Sequence, residues 1–381
     1  MPSESSADFF NELKEWSERK LRLLEKYVEP AARILGSSHG LVYYVDGFAG
    51  RGVYDDKAQT KGSPVRIAQL AEKFERENRS YQLNCINVEP NPENFQNLVS
   101  STEAFGDKVQ NLFGSFGENT EAIQQRIGTH PAVCFLDPFG VKGIDLTAIE
   151  KIVSRKAPTD LWIRFDPGTI RRLDGFFDDG QSQRKKQFSI LPGVYGVDDW
   201  RSLHDRLSGL TAEDRLNNAL NLYREQLVNL YGRAKGGGYV GSYAIRTLTG
   251  QVKYHLVFAT AHPRGILLAS EIICDVEESY QIEVQEFKDS RTHQKDMFAT
   301  QPSGEEIFAT KVDRLQTDIW KAARGKELSH DQIYLSILGR WFGRIKGKHL
   351  NAALNSMKDT GQITHADGPT SHYQTKFQFK E

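Results

Sequence analysis

The sequence is poor in cysteine, has no excess of either charge and lacks long apolar runs, and each absence excludes a class of protein. Three cysteines in 381 residues are too few for the disulfide scaffold of a small secreted domain. Lys and Arg number 49 against 50 Asp and Glu, so any nucleic-acid binding would depend on local basic patches. No apolar stretch approaches the roughly 20 residues of a membrane span. With its polar, acidic N-terminus, we expect a cytoplasmic protein without membrane association.

The three cysteines do not form a metal-binding pattern. Cys85 and Cys134 fall inside predicted strands and Cys274 falls inside a helical pattern, without the short spacings of metal ligands. We expect all three to be small buried side chains of apolar character. The sequence therefore predicts no metal site.

What the chain does have is an apolar run that ends at an acidic residue and passes directly into a glycine-rich turn. Residues 43–52 read YYVDGFAGRG. The run is typical of a buried parallel strand, and the glycines are typical of a strand-end loop that approaches a ligand closely. A glycine-rich turn without a ligand would look the same. Asp46, Phe48, Gly50 and Gly52 are therefore candidates for a cofactor-binding loop.

A second strand-like run also ends at a carboxylate. Residues 85–90 read CINVEP and place Glu89 at the strand tip. In a Rossmann-type site this carboxylate accepts hydrogen bonds from ribose hydroxyls, about 20 residues after the glycines. Here the separation is nearly twice as long, because residues 53–62 are extra before the next helix. This insertion is either a loop free to cover the site or a disordered surface segment.

A third strand-like run, residues 132–140, ends in D-P-F-G. Methyltransferases that modify exocyclic amines of bases carry a D-P-P-Y-like motif at this place. Its carboxylate and proline carbonyl orient the amine, and its aromatic ring stacks on the flipped base. Asp137, Pro138 and Phe139 are the matching candidates, with the aromatic one position early. The alternative is that Asp137 caps the following helix and Phe139 only packs.

The order of these strand ends is more informative than any one of them. A glycine loop, a ribose carboxylate and then D-P-x is the order of class I S-adenosylmethionine-dependent methyltransferases. Residues 239–248 and 252–260 also predict an antiparallel hairpin. Such a hairpin completes the seven-stranded methyltransferase sheet and is not normal in an NAD-binding Rossmann domain. After the third strand, Ser115 and Phe116 are either an adenine contact or a plain turn.

At this point the chain resembles a specific family, the three-Cys-motif partner proteins of bacteria. The shared features are D-x-F-A-G-x-G, a G-S-P step at residues 62–64, the acidic strand end, D-P-F-G, and a tyrosine-containing late strand at residues 253–259. The resemblance runs from near Lys20 to the C-terminus. It implies a phage-type partner protein that holds the three-cysteine motif and is related to radical S-adenosylmethionine enzymes. D-P-F-G is also similar to the motif of tRNA guanine-N2 dimethyltransferases, which methylate an exocyclic amine.

The length predicts two domains, with a small addition at the N-terminus. Residues 1–35 are expected to form a helical N-terminal region. Residues 36–283 alternate strands with helices and predict an α/β fold, a Rossmann-like class I methyltransferase sheet that is parallel except for its closing antiparallel hairpin. Residues 284–381 are expected to form a linker helix and a winged-helix-like domain.

The Rossmann-like domain contains an insertion after its fifth strand, residues 167–238. Insertions at the carboxyl ends of strands line the mouth of the cleft, so we interpret this one as a substrate-facing lid. It contains a basic cluster that includes Arg171 and Arg172. The cluster is either a phosphate contact or an exposed, solvated charge run.

The last 53 residues, 329–381, predict a helix, a second helix and a β-hairpin, which is a winged-helix pattern. This segment has seven Lys and Arg against four Asp and Glu. Arg344, Lys346 and Lys348 cluster at the second helix and are the candidate nucleic-acid contacts. Many winged helices instead only pack against proteins.

The function that these patterns favour is methyl transfer from S-adenosylmethionine to an exocyclic amine of a nucleic-acid base, in DNA or RNA. Catalysis would consist mainly of positioning the amine for in-line attack on the sulfonium methyl. The alternative is a non-catalytic adaptor, with or without bound S-adenosylmethionine, that docks the three-cysteine partner. Methylation of a protein or a small molecule is a third possibility, because a fold does not fix a function.

Overall fold

The computed structural model, which describes residues 13–140, 142–166, 189–292 and 304–381, divides the chain into two compact units, residues 1–262 and 263–381. The first unit is built on one seven-stranded sheet. Its strands are β1 (Leu41–Asp46), β2 (Gln82–Glu89), β3 (Val109–Phe113), β4 (Ala132–Leu136), β5 (Thr159–Phe165), β6 (Tyr239–Arg246) and β7 (Val252–Thr260).

The strand order is β3-β2-β1-β4-β5-β7-β6. Strands β1 to β5 are parallel, whereas β7 runs antiparallel to both β5 and β6. This confirms the predicted α/β sheet with its closing antiparallel hairpin. Strands β1, β2 and β4 are buried along most of their length, as expected for strands covered on both faces.

Helices of the first unit cover the two faces of the sheet. They are α1 (Glu15–His39), α2 (Ser63–Arg76), α3 (Pro92–Thr102), α4 (Phe116–Ile127), α5 (Leu146–Val153), α6 (Leu191–Tyr195), α7 (Trp200–Leu207) and α8 (Ala212–Lys235). Strand β5 shows the division, because successive side chains point to opposite faces. Trp162 lies 5.3 Å from the ring of Tyr27 in α1, and Phe165 stacks on Tyr223 in α8, also at 5.3 Å.

The interpretation of residues 167–238 as a lid is wrong for residues 189–238, the part that the structure describes. Helix α8 packs into the main core, where Tyr223 and Tyr231 are fully buried. The Tyr231 hydroxyl donates to the carbonyl of Thr159 at 2.8 Å. The apolar face of the sheet has to be covered, and the crossover after β5 supplies that cover. Residues 167–188, with Arg171 and Arg172, lie outside the described residues.

For residues 53–62 the interpretation as a disordered segment is wrong, and the interpretation as a covering loop is right only in position, because Val53 and Tyr54 line a cavity at the sheet edge but the segment is not free. Val53 pairs with Lys61 in an antiparallel bridge, and the backbone of Tyr54 donates to Thr60 at 2.8 Å. Tyr54 is only 5% exposed. The insertion is thus a closed, hydrogen-bonded turn, neither a free loop nor a disordered segment. Ten residues form such a turn when its two ends can pair with each other.

The second unit begins with a long helix and continues with a small helical and β region. Its elements are α9 (Pro263–Thr292), α10 (Gly304–Ala323), β8 (Glu327–Ser329), α11 (His330–Trp341), α12 (Gly347–Asp359), β9 (Ile363–Ala366) and β10 (Lys376–Phe379). The three strands form an antiparallel sheet in the order β8-β10-β9. Leu315, Ile333, Leu350, Leu354 and Phe377 are among the residues of its own apolar core.

Helix α9 extends further than its sequence indicates. Residues 284–292 were expected to belong to a linker helix that starts a new domain, but they continue α9 to Thr292. The side chain of Gln285 donates to Asp289 at 2.7 Å. Such pairs at the i,i+4 spacing support the exposed, polar side of a helix. None of the helices within the described ranges is long and apolar enough to cross a membrane.

Candidate functional site

The carboxyl ends of the parallel strands surround a cavity of about 210 Å³. Six residues that the sequence singles out line it: Phe48, Gly50, Gly52, Glu89, Asp137 and Phe139. These residues come from the segments that follow β1, β2 and β4, which are neighbours in the sheet. Because parallel strands end at the same edge, segments far apart in sequence meet at one place.

Glu89 is a buried carboxylate that lines the cavity and is held by two backbone amides. It is 6% exposed. Its Oε2 accepts a hydrogen bond from the Gly50 amide at 2.8 Å, and its Oε1 accepts one from the Asn91 amide at 2.8 Å. An ionised carboxylate has about four acceptor positions, so two remain after these bonds. Glu89 can therefore anchor the glycine loop and accept further hydrogen bonds from a ligand.

The glycine loop depends on conformations that other residues rarely adopt. Gly50 has φ 65° and Gly52 has φ 81°, both in the left-handed region that favours glycine. A Cβ at Gly52 would also lie 2.1 Å from the Oγ of Ser101 in α3. The loop thus passes close to α3, and glycine at position 52 is required by both sterics and backbone conformation.

Asp46 lies beneath the loop and does not line the cavity. It is fully buried, and it accepts hydrogen bonds from the Phe48 amide at 3.1 Å, from the Ser63 hydroxyl at 2.6 Å and from the Tyr44 hydroxyl at 3.1 Å. Burial raises the pKa of the Asp46 carboxyl to about 6, although the bonds from Ser63 and Phe48 act in the opposite direction. Asp46 thus fixes the strand end and the start of the loop.

Asp137 is held between two cations. Its Oδ2 forms an ion pair with Lys20 of α1, and its Oδ1 lies 3.3 Å from Nη1 of Arg164 in β5. Burial alone would raise the pKa of Asp137, but the charges of Lys20 and Arg164 outweigh it and hold the pKa below its ordinary value. The carboxylate is therefore ionised, and each of its oxygens is already engaged.

Sequence reasoning missed Lys20 and Arg164, and both line the cavity. The sequence contained a signal for each of them, a charged residue at a position that is otherwise apolar. Lys20 lies between Trp16 and Leu23 on the face of α1 that the helical pattern marks as apolar, and it is only 4% exposed. Arg164 interrupts an otherwise buried strand. A charged residue in such a position is rarely buried unless it is paired.

Phe139 and Pro138 differ in their surroundings. The ring of Phe139 is 57% exposed and lies 5.9 Å from the guanidinium of Arg164. Pro138 is buried and is not among the residues that line the cavity. The alternative that Asp137 caps a helix is wrong, because Asp145 caps α5 by accepting from the Ala148 amide.

Ser115 and Phe116 are not part of the cavity lining. Ser115 caps α4 in a reciprocal arrangement with Glu118. Phe116 is 1% exposed and packs beneath Gly47, where a Cβ would lie 3.0 Å from the ring. In this structure the pair starts a helix and fills the core.

The predicted basic cluster of the second unit is only partly available for contacts with nucleic acid. Lys346 forms ion pairs with Asp275 and Glu278 of α9, which raise its pKa although burial lowers it. Arg344 and Lys348 are exposed, and the Lys348 amine lies 5.8 Å from the ring of Phe308. Lys346 is therefore a structural residue of this unit.

The three cysteines are buried and free, as expected, in β2, β4 and α9. The seven-stranded order, the single reversed strand β7 and the cavity at the carboxyl ends together resemble the class I methyltransferase fold. This is the class of structure that the sheet defines.

No family model matches the chain, and no curated protein is significantly similar to it. Among solved structures, the O-methyltransferase from Bacillus cereus in complex with SAH is 11% identical, over 66% of this chain and 83% of its own, with a TM-score of 0.34. The O-methyltransferase TomG from Streptomyces achromogenes, in complex with SAM, is 11% identical over 67% of this chain and 93% of its own, with a TM-score of 0.34. TM-scores this low establish neither fold nor function.

Proposed function

We propose that this chain is an S-adenosylmethionine-dependent methyltransferase of class I. The observation that carries the proposal is the cavity that brings the glycine loop, Glu89 and Asp137 together at adjacent strand ends. These are the groups that the sequence assigns to the methionine, ribose and acceptor sides of such a site.

The residues present fit this cofactor. Glu89 keeps acceptor positions for ribose hydroxyls while two amides fix its orientation. Strands β2 and β4 are separated only by β1, so their ends lie about 10 Å apart at the usual spacing of neighbouring strands. The rest of a cofactor whose nucleoside lies at Glu89 can therefore extend along the sheet edge past the end of β1.

The bound cofactor would supply an electrophilic methyl group on a sulfonium. The protein's own contribution is placement, because a positioned nucleophile needs little further activation against such a group. Glu89 would hold the nucleoside, and the loop at Gly50 and Gly52 lets the backbone approach the ligand. Tyr54 and Phe48, which also line the cavity, would reduce access of water to the reacting atoms.

For the acceptor we propose an exocyclic amine of a nucleic-acid base. Both oxygens of Asp137 are in ion pairs and Pro138 does not line the cavity, so the ring of Phe139 is the group that this acceptor would contact. An exposed aromatic ring at the rim of the cavity is suited to stacking on a flipped base. The guanidinium of Arg164 beside that ring would favour an electron-rich partner.

The second unit supports nucleic acid as the partner through its order of elements. Helix α10, strand β8, helices α11 and α12, and then the hairpin β9–β10 follow one another as in a winged helix. We propose a winged-helix-like domain here, with Arg344 and Lys348 as phosphate contacts. Arg171 and Arg172 stay predictions, and so does a three-cysteine partner protein.

Transfer of a labelled methyl group from S-adenosylmethionine to pooled DNA and RNA tests this function. We expect transfer to nucleic acid, with kcat/KM reduced about tenfold or more in Phe139→Ala, because stacking contributes roughly 1–3 kcal/mol per base. Phe139→Tyr keeps an aromatic ring and should retain activity. Cofactor affinity should be unchanged in both variants, since the ring is exposed. Full activity of Phe139→Ala, or no transfer to any nucleic acid, would contradict the proposed acceptor.

A further inference from the structure

We propose that Lys20, Asp137 and Arg164 form the receptor for the zwitterionic amino-acid end of S-adenosylmethionine. The inference rests on the proposed function and assigns a ligand group to residues of the same cavity. Lys20 and Arg164 would bind the α-carboxylate of the ligand, and Asp137 would bind its α-ammonium group.

The first support is an excess of positive charge at one end of the cavity. Two cations share one carboxylate there, and the exposed fractions of the side chains of Lys20, Asp137 and Arg164 are only 4%, 11% and 14%. A buried charge without full compensation is costly. The three groups carry one net positive charge, which the nearby Asp166 offsets in part, and a ligand carboxylate would complete the compensation.

The second support is unused donor capacity. A guanidinium has five N–H donors in a planar fork that matches a carboxylate. Nη1 of Arg164 donates a hydrogen bond to Oδ1 of Asp137 at 3.3 Å. This distance is long for a charge-assisted hydrogen bond. The buried Nε of Arg164 has no hydrogen-bond partner among the residues that the structure describes. Arg164 therefore has donor capacity left for a second carboxylate, while the ring of Tyr254, 4.5 Å from its guanidinium, helps to hold it at the cavity.

The third support is the position of the cluster along the sheet edge. Glu89 ends β2, Asp137 follows β4 and Arg164 lies in β5, and these strands occur in the order β2-β1-β4-β5. If Glu89 holds the ribose, the other end of the ligand lies toward β4 and β5. An amino-acid group carries one charge of each sign, and the cluster offers a partner for each.

If Lys20 and Asp137 have only a structural role, the expected result is different. In that case the ion pair of Lys20 with Asp137 only attaches α1 to the sheet, and its loss would weaken the binding of every ligand of the site alike. The receptor role requires that only ligands with the amino-acid end lose affinity. The two roles are therefore separated by a pair of ligands that differ in that end alone.

The test titrates the full chain with S-adenosylhomocysteine and with 5′-methylthioadenosine, which shares the adenosine and thioether but lacks the amino-acid group. In Lys20→Met we expect S-adenosylhomocysteine to bind about tenfold more weakly or worse, as for a lost charge-assisted bond, and 5′-methylthioadenosine to bind as in the wild type. Lys253→Met is the matched control, because Lys253 contacts α1 at the ring of Trp16 and does not line the cavity. It should bind both ligands normally.

Equal weakening of both ligands, or of neither, in Lys20→Met would overturn the receptor role while leaving the proposed cofactor intact. If the wild-type chain binds neither ligand, the proposed function fails as well. A comparison that needs no variant guards against misfolding of Lys20→Met. The wild type should bind decarboxylated S-adenosylmethionine at least about tenfold more weakly than S-adenosylmethionine, and equal affinities would overturn the inference.

Discussion

At the scale of the residue, Asp46 combines complete burial with an ionisable group. Three hydrogen-bond donors surround its carboxyl, yet desolvation dominates and raises the pKa to about 6. The folded protein therefore favours the protonated form of Asp46 more strongly than the unfolded chain does. The stability that this preference gives is fully present below about pH 4, and it is lost as the pH rises through about 6.

The variant Asp46→Asn should consequently gain stability relative to the wild type as the pH rises. Near pH 4 the two proteins should differ little through this group, and by pH 7 the difference should have moved in favour of Asp46→Asn by roughly 2–3 kcal/mol. The amide keeps an acceptor for Phe48 and offers donors to the hydroxyls of Tyr44 and Ser63. Urea unfolding of both proteins between about pH 4 and pH 7 measures the effect. A difference that does not change with pH would show that Asp46 titrates normally.

At the scale of the element, the loop after β1 is fixed from two sides. Arg51 donates to Asn94 at 3.1 Å and to Glu93 at 2.7 Å, both in α3. It also forms an ion pair with Asp55 in the turn that follows. One side chain thus ties the glycine loop, the inserted turn and α3 together, and the loop that would meet the cofactor is shaped before any ligand arrives.

The variant Gly52→Ala tests this fixed shape, with Gly40→Ala as the matched control. Both glycines have positive φ, 81° and 72°, but a Cβ meets Ser101 only at position 52 and open space at position 40. Gly40→Ala should cost about 1 kcal/mol from backbone strain alone, and Gly52→Ala should cost at least about 1 kcal/mol more. Urea unfolding gives both values. The added Ser101→Gly change should remove the excess, and an excess that persists would show that Ser101 is not its cause.

The three strand ends were predictable from the sequence because each one is a local pattern. Asp46, Glu89 and Asp137 all follow apolar runs, and the bounds of β7 were predicted to the residue. The partners of these carboxylates were not predictable in the same way. Lys20 meets Asp137 across 117 positions and Gly50 meets Glu89 across 39, and contacts at such separations depend on the packing of whole helices and strands. The buried face of α8 was missed because its long connection suggested a lid.

At the scale of the whole molecule, the second unit shows how one helix supports a domain. Helix α9 provides Ser270, whose Oγ accepts from the Gly343 amide at 2.9 Å, and Glu271, which accepts from the Gly347 amide at 2.7 Å. It also provides the carboxylates that pair with Lys346. The start of α12 is thus capped by a helix that precedes it by more than fifty residues, although the sequence marks α12 as part of a separate unit.

A fragment of residues 263–381 should therefore melt cooperatively, and a fragment of residues 304–381 should be markedly less stable. The shorter fragment loses the partners of Gly343, Gly347 and Lys346, each worth about 1–3 kcal/mol. For a domain of this size we expect a Tm lower by at least about 10 °C. Circular dichroism melts of the two fragments measure this, and equal Tm values would contradict a structural role for α9 in this unit.

The central claim, that S-adenosylmethionine binds at the carboxyl ends of β1, β2 and β4, is tested most directly by calorimetric titration of the full chain. We predict micromolar binding, weakened about tenfold or more in Glu89→Gln through loss of a charged acceptor. It should be unchanged in Glu121→Gln, where an exposed carboxylate of α4 lies outside the cavity. A folded wild type that shows no binding, or a Glu89→Gln variant that binds normally, would contradict the account.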